Sequence, residues 1–303
     1  SDRGQANWAF FPLYPMLARL VSQATGASSF VSLLLVAHVA FIAALLVAWT
    51  EARDLYGRRA ADACVLLLCL IPGTHFYSSA YSESLFLLCC LSALALARRR
   101  YWVAAGAAAA LATLTRNIGI ILVVPILLYF IQSPQSASLR ERFLSLRVAD
   151  VLPLFAGLSL PVIALGGYMA YLHALTGDAL AFVHVQAAWG RKFTSPLVVL
   201  LFPDGDLAYV PSHIAAWISL ALIGVLLWRR NWPHAAYAAL CVTIFLTAGI
   251  LSFMRLALSI APLLLVGGDL IAARPRVGVV VLCCSAVLSA LLMVGWSVGV
   301  PVF

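Results

Sequence analysis

From Ser29 to Thr50 the chain runs for twenty-two residues without an acidic side chain, a lysine or an arginine. A stretch of that kind is about what one helix needs to cross the ~30 Å hydrocarbon core of a bilayer. The pattern recurs along the whole sequence. Apolar runs bounded by charge or by Pro and Gly predict ten helices, over 29–50, 62–78, 83–97, 102–115, 118–131, 151–174, 211–228, 234–251, 256–272 and 277–300. Several are shorter than the ~20 residues a perpendicular crossing takes, so neighbours must shelter them or they line a cavity. Composition agrees: 64% of the residues are hydrophobic and 10% charged, against about 45–50% and about 25% in soluble domains. A soluble fold is excluded. The expectation is an all-α, polytopic transmembrane bundle forming a single domain over 1–303. Within it, 1–28 is an extracytoplasmic or interfacial segment, 29–174 holds the first six helices, 175–210 is an extracytoplasmic loop and 211–303 holds the last four.

The 19 basic residues are 18 Arg and Lys192, set against 11 acids for a net charge of +8. No basic run is interleaved with aromatics, so nucleic acid is not the expected partner. Positive charge instead gathers at cytoplasmic helix ends. With an outside start and ten alternating crossings, thirteen of the cations fall inside: Arg53, Arg58, Arg59, Arg98, Arg99, Arg100, Arg140, Arg142, Arg147, Arg229, Arg230, Arg274 and Arg276. Six remain outside: Arg3, Arg19, Arg116, Arg191, Lys192 and Arg255. That division favours a hairpin turning at Thr115-Arg116-Asn117 over one long helix. The seven cysteines lie in apolar runs without CxxC spacing and read as small buried hydrophobes.

The same topology gathers polar residues on the outer face, which makes it the candidate working side. In the turn Pro72 to Phe86, Glu83 can line a ligand site, with Tyr77 and Tyr81 as stacking surfaces. Equally local physics makes Ser82 an N-cap and Glu83 a first-turn acid facing the helix dipole. Arg116 stands between two apolar runs, with Asn117 and Gly119 after it. It suits a phosphate or a structural ion pair, with Glu83 as partner either way. Arg255 suits the same role or snorkelling to the headgroups. In HVQAAWGRKFTSP, His184, Gln186, Arg191 and Lys192 combine an imidazole, an amide and two cations. A surface amphipathic helix and a lipid-phosphate site both account for them. Asp204 and Asp206, around Gly205, read as a turn.

At AFFPLYP (Ala9 to Pro15) and YSESLF (Tyr81 to Phe86) the sequence resembles the PIG-V type membrane mannosyltransferases, which add the second mannose to glycosylphosphatidylinositol in eukaryotes and have bacterial relatives. TRNIGI (Thr115 to Ile120), QAAWGR with Pro196, and the Arg255 segment ending in Ala261-Pro262 follow in the family's order. The resemblance implies a GT-C glycosyltransferase fold in the plasma membrane, or in the ER membrane for eukaryotic relatives. It implies transfer of a hexose, mannose being expected, from a polyprenyl-phosphate donor to a lipid or glycan acceptor on the extracytoplasmic face, with inversion. GT-C enzymes divide between metal-dependent and metal-independent members, and because no tight carboxylate cluster appears in the sequence, no metal or other cofactor is expected. Arg116, Arg191, Lys192 and Arg255 would hold the donor phosphate and Glu83 would support them. His75, Tyr81, Asn117, His184 and Gln186 would contact substrate. The family's Trp-Asp pair, whose Asp is the expected base, precedes AFFPLYP by more than the eight residues present before Ala9. The first helix and the base are therefore expected upstream of Ser1. A transporter or flippase for a lipid-linked sugar, and a noncatalytic assembly subunit, remain the alternative classes. A cavity shared by Arg116 and Glu83 at one face speaks for the enzyme, and a central two-sided pathway for the transporter.

Overall fold

Each of the ten apolar runs contains a helix in the computed structural model, which describes residues 7–132, 148–186, 194–201, 209–250 and 252–299 and has no strand among them. The α-helices in chain order are α1 (Leu13–Thr25), α2 (Ser29–Tyr56), α3 (Arg58–Leu70), α4 (His75–Ser78), α5 (Glu83–Arg98), α6 (Trp102–Thr115) and α7 (Val123–Ile131). They continue with α8 (Val148–Thr176), α9 (Ala181–His184), α10 (Pro196–Leu201), α11 (Val210–Trp228), α12 (Trp232–Thr247), α13 (Phe253–Ala257), α14 (Ala261–Ala273) and α15 (Pro275–Ser297). Among the described residues four helices are long and apolar enough to cross a membrane: α2, α8, α11 and α15. The others form shorter apolar pieces.

Packing follows the rule for lipid solvent, in which small side chains meet and large ones face outward. On α2, Ala37, Ala40, Ala44, Ala48 and Ala52 form one buried stripe, while Phe30, Val39, Ile42 and Leu46 lie exposed on the other side. Gly106 of α6 and Gly157 of α8 bring those helices so close that a methyl group on Gly106 would overlap the backbone of Gly157, and one on Gly157 the backbone of Trp102. Gly268 of α14 approaches Cys64 of α3 in the same way. Helix α5 is buried nearly all round, through Leu87, Cys90, Leu91, Leu94 and Ala97 among others. It is the axis of the bundle, packed by α2, α6 and α7. α15 is at the rim, with Gly278 and Ser289 as its buried residues.

Two runs break where backbone chemistry demands it. The 62–78 run stops as a helix at Leu70, because Pro72 lacks an amide donor and Gly73 takes φ +90°, a conformation that suits only glycine. The 256–272 run divides into α13 and α14 ahead of Pro262 at the start of α14. The cysteine expectation is corrected in part. Cys64, Cys89, Cys90 and Cys241 are buried, but Cys69, Cys283 and Cys284 are exposed on the apolar exterior, where a thiol meets hydrocarbon at little cost.

Charges collect at two opposite ends of α5. At one end the fully buried Glu51 of α2 takes Arg98 at 2.6 Å and Arg99 at 2.9 Å. Asp54 binds Arg53, Arg98 and Arg99 around it, and Arg229 pairs with Asp269 nearby while lying over the Tyr56 ring. The other end starts at Glu83. Residues 83 and 98 bound α5, and their separation is about 22 Å at ~1.5 Å per residue.

Candidate functional site

The chain reaches Glu83 through a turn that is tied down from both sides. The Ser84 hydroxyl donates to the Tyr77 carbonyl at 2.6 Å, and the Tyr77 hydroxyl donates to the carbonyl of Leu258. Tyr77 stacks on Phe41 at 4.8 Å and is wholly buried. It is a core residue, which corrects the expectation of a stacking surface for ligand. Ser82 stands at the N-cap position and Glu83 in the first turn, as expected, but the Ser82 side chain makes no capping hydrogen bond.

Glu83 is 2% exposed, and two arginines from distant elements converge on it. Arg116 Nη1 donates to Glu83 Oε1 at 2.9 Å. It can do so because α6 ends at Thr115, Arg116 turns extended with φ −155° and ψ 136°, and a 3-10 turn over Asn117–Leu122 follows. Gly119 lets that turn lie flat on the backbone of Ala112 and Thr113, where any side chain would collide. Arg255 of α13 places Nε at 3.3 Å from the same Oε1, with its guanidinium over the rings of Tyr81 at 5.3 Å and Phe76 at 5.6 Å. Its side chain is 17% exposed, so it turns into the protein instead of snorkelling. Arg255 Nε is buried and makes no aligned hydrogen bond, so the ion pair leaves this donor unused.

Tyr14, from the AFFPLYP stretch, donates to the Leu33 carbonyl at 2.9 Å. Burial pushes its phenol up to about 12, and the Glu83 charge adds to the shift, which places α1 within electrostatic reach of the carboxylate. His75 is 4% exposed, stacks on Phe76 at 4.3 Å and on Trp296 at 5.4 Å, and neither ring nitrogen has a hydrogen-bond partner. Taken together, one buried carboxylate faces two guanidiniums, beside an imidazole with two unused nitrogens. The local charge is positive by one, a setting that accepts an anion and offers hydrogen bonds to polar atoms beside it.

Glu83, Arg116, Arg255 and Tyr81 thus meet, with His75 joined to them through Phe76. Asn117 is exposed at the start of the 3-10 turn, next to Arg116 in the chain. His184 and Gln186 belong to a different group. The His184 ring meets Asp178 at 2.7 Å, and the Gln186 amide donates to the Phe182 carbonyl at 3.3 Å. Phe182 itself packs with Phe11 and Tyr168 in a separate small core. Arg191, Lys192, Asp204 and Asp206 lie outside the described residues. Sequence reasoning missed Phe76, Tyr14 and Trp296. Tyr14 lay inside a motif already noted, whereas Trp296, near the end of the last helix, gives no local signal. Among the described residues no three His, Cys, Asp or Glu side chains are grouped to hold a metal.

The sequence profile of the dolichyl-phosphate-mannose-protein mannosyltransferases matches residues 11–160, which include AFFPLYP from Phe11 onward, Glu83 and Arg116. No curated protein matches the chain. Two crystal structures of the Archaeoglobus fulgidus oligosaccharyltransferase share its fold. The complex with Zn and sulfate is 16% identical with a TM-score of 0.53, and covers 93% of this chain and 44% of its own. The form tethered to an acceptor peptide containing the NVT sequon is 15% identical with a TM-score of 0.55, and covers 93% and 45%. The chain therefore spans under half the length of those proteins. Over 93% of its length this helical bundle, with a charged cluster at the end of its central helix, therefore shares the fold of that oligosaccharyltransferase's chain.

Proposed function

We propose that the chain is the membrane bundle of a glycosyltransferase that moves a hexose, mannose first among them, from a polyprenyl-phosphate carrier to a lipid or glycan acceptor. The observation that carries this reading is the charge imbalance at Glu83, where two inward-turned arginines share one carboxylate. A departing lipid phosphate supplies the missing negative charge, and guanidiniums bind it bidentately. Glu83 is held by two cations. Its role is to aim Arg116 and Arg255, which leaves proton abstraction to a carboxylate elsewhere in the whole protein. His75 and Tyr81 border the cluster and serve as contacts for sugar or acceptor hydroxyls. The profile match over residues 11–160 supports mannose, and AFFPLYP with YSESLF supports a PIG-V type acceptor. The positive-inside count supports an extracytoplasmic working face. The confinement of this cluster to one end of α5, about 22 Å from the Glu51 network, favours an enzyme working at one face over a two-sided transport pathway.

The test uses the full-length protein in membranes, supplied with polyprenyl-phosphate-[³H]mannose. Arg116→Ala is expected to cut transfer roughly 10²- to 10³-fold, the usual effect of removing one stabiliser of developing charge. Arg116→Lys should recover part of it. Wild-type turnover in a folded Arg116→Ala protein removes Arg116 from the site.

A further inference from the structure

At the Glu51 end every described carboxylate is already engaged. Glu51 and Asp54 hold Arg53, Arg98 and Arg99, Asp269 holds Arg229, and Asp62 accepts from the Trp49 indole at 2.9 Å. Six other arginines at this end are exposed and joined by no ion pair to an acid among the described residues: Arg100 and Arg230, and the four Arg58, Arg59, Arg274 and Arg276.

The helix register brings these four to one corner. α3 and α14 run antiparallel, because Gly73 past the end of α3 packs on Leu258 ahead of α14, while Cys64 within α3 packs on Gly268 within α14. Six residues beyond that crossing the two helices have reached Arg58 and Arg274, each about 9 Å further on. Arg59 follows Arg58, and Arg276 lies in the first turn of α15, which packs on both α14 and α3. A methyl on Gly278 would overlap the Ile271 carbonyl, so the link from α14 to α15 is a tight reversal that keeps Arg274 and Arg276 side by side. Immediately beyond, Val277, Val279 and Val280 of α15 are 56%, 61% and 61% exposed, an open apolar surface next to the charges.

We propose that Arg58, Arg59, Arg274 and Arg276 form a binding site for the headgroup of an anionic phospholipid, with its acyl chains lying along the valine face of α15. Two observations select that ligand over a free anion. No acid among the described residues pairs with these cations, and an apolar surface continues directly from them. Guanidinium forks match phosphate oxygens in two-point contacts, and basic corners between membrane helices hold acidic headgroups in this manner. The inference is independent of the transferase reading.

The test is native mass spectrometry of the chain reconstituted with phosphatidylglycerol or with phosphatidylcholine. Phosphatidylglycerol should remain bound and phosphatidylcholine should not. Each neutralised arginine is expected to weaken retention roughly fivefold, so Arg274→Gln with Arg276→Gln loses about 25-fold and the fourfold glutamine variant more. Arg100→Gln with Arg230→Gln, at exposed positions of the same end, should retain the lipid. Equal retention by wild type and the Arg274/Arg276 pair overturns the proposal. So does equal loss in the Arg100/Arg230 control, or displacement of the lipid by millimolar inorganic phosphate. The two-residue variant keeps the test valid if the fourfold one does not fold.

Discussion

A carboxylate that is 2% exposed carries a heavy desolvation cost, and Glu83 meets it with charge from Arg116 and Arg255. Glu83→Gln leaves two half-sheltered cations facing each other. It is expected to lower stability by about 3 kcal/mol, the low end for a broken buried pair, because both arginines keep some solvent contact. Thermal unfolding in detergent measures this, and a change within error means that the pair does not support the fold. Asp178 offers a pH-dependent case. The His184 ring and the Leu180 amide hold its carboxyl below the usual carboxylate range. A depressed folded-state pKa means that the interaction is present at neutral pH and is lost as pH falls through that lowered value. His184→Ala should move the Asp178 titration upward, as read by carboxyl carbon NMR; an unmoved titration would exclude His184 as its cause. At this scale the sequence identified Glu83 and Arg116 as partners, since both stand in short polar turns between apolar runs. It did not decide Arg255, because snorkelling and pairing demand the same residue at the same place. It misassigned Tyr77, since side-chain direction in a short turn follows no period that a sequence pattern can reveal.

Element boundaries were legible wherever an apolar run ended at an unpaired charge, and misleading where the charge was paired. α2 continues to Tyr56, past the expected end at Thr50, because Glu51 and Asp54 are neutralised by arginines from α5 and the start of its following turn. The break after Leu70 was obscured by the apolar residues on both sides of Pro72-Gly73. The close pairing of α6 with α8 was not legible at all, since glycines occur throughout the chain and only the fold shows that Gly106 faces Gly157. Gly157→Leu should force these helices apart and destabilise the bundle by at least the ~1–3 kcal/mol typical of overpacking. Gly166→Leu, on the same helix where a Cβ meets no neighbour, serves as the control. Equal melting temperatures for the two variants would show that the α6–α8 approach is not needed for stability.

Among the described residues the molecule is a helical bundle with ion-paired clusters at the two ends of α5 and hydrocarbon-facing side chains between them. If the ends lie on opposite faces of the membrane, a cysteine at Ser78 and one at Arg100 must be reachable from different sides. In a background with Cys69, Cys283 and Cys284 replaced, an impermeant maleimide applied to intact cells should label Ser78→Cys and leave Arg100→Cys unlabelled until the cells are opened. The opposite result reverses the orientation, and labelling of both from one side rules out a placement of the two ends on opposite faces.

The stretch of α5 between its two charged ends has an electrical consequence. From Ser84 to Ala97 it contains no Asp, Glu, Lys, Arg or His, so it acts as a dielectric about 22 Å thick with fixed charge at either plate. If the two ends lie on opposite faces of the membrane, most of the voltage drops across that layer, and one elementary charge carried through it exchanges ~2.3 kcal/mol per 100 mV with the field. Under the proposed function, a phosphate that arrives and departs among Glu83, Arg116 and Arg255 stays at a single plate. Its capture and release neither draw on the voltage nor run it down.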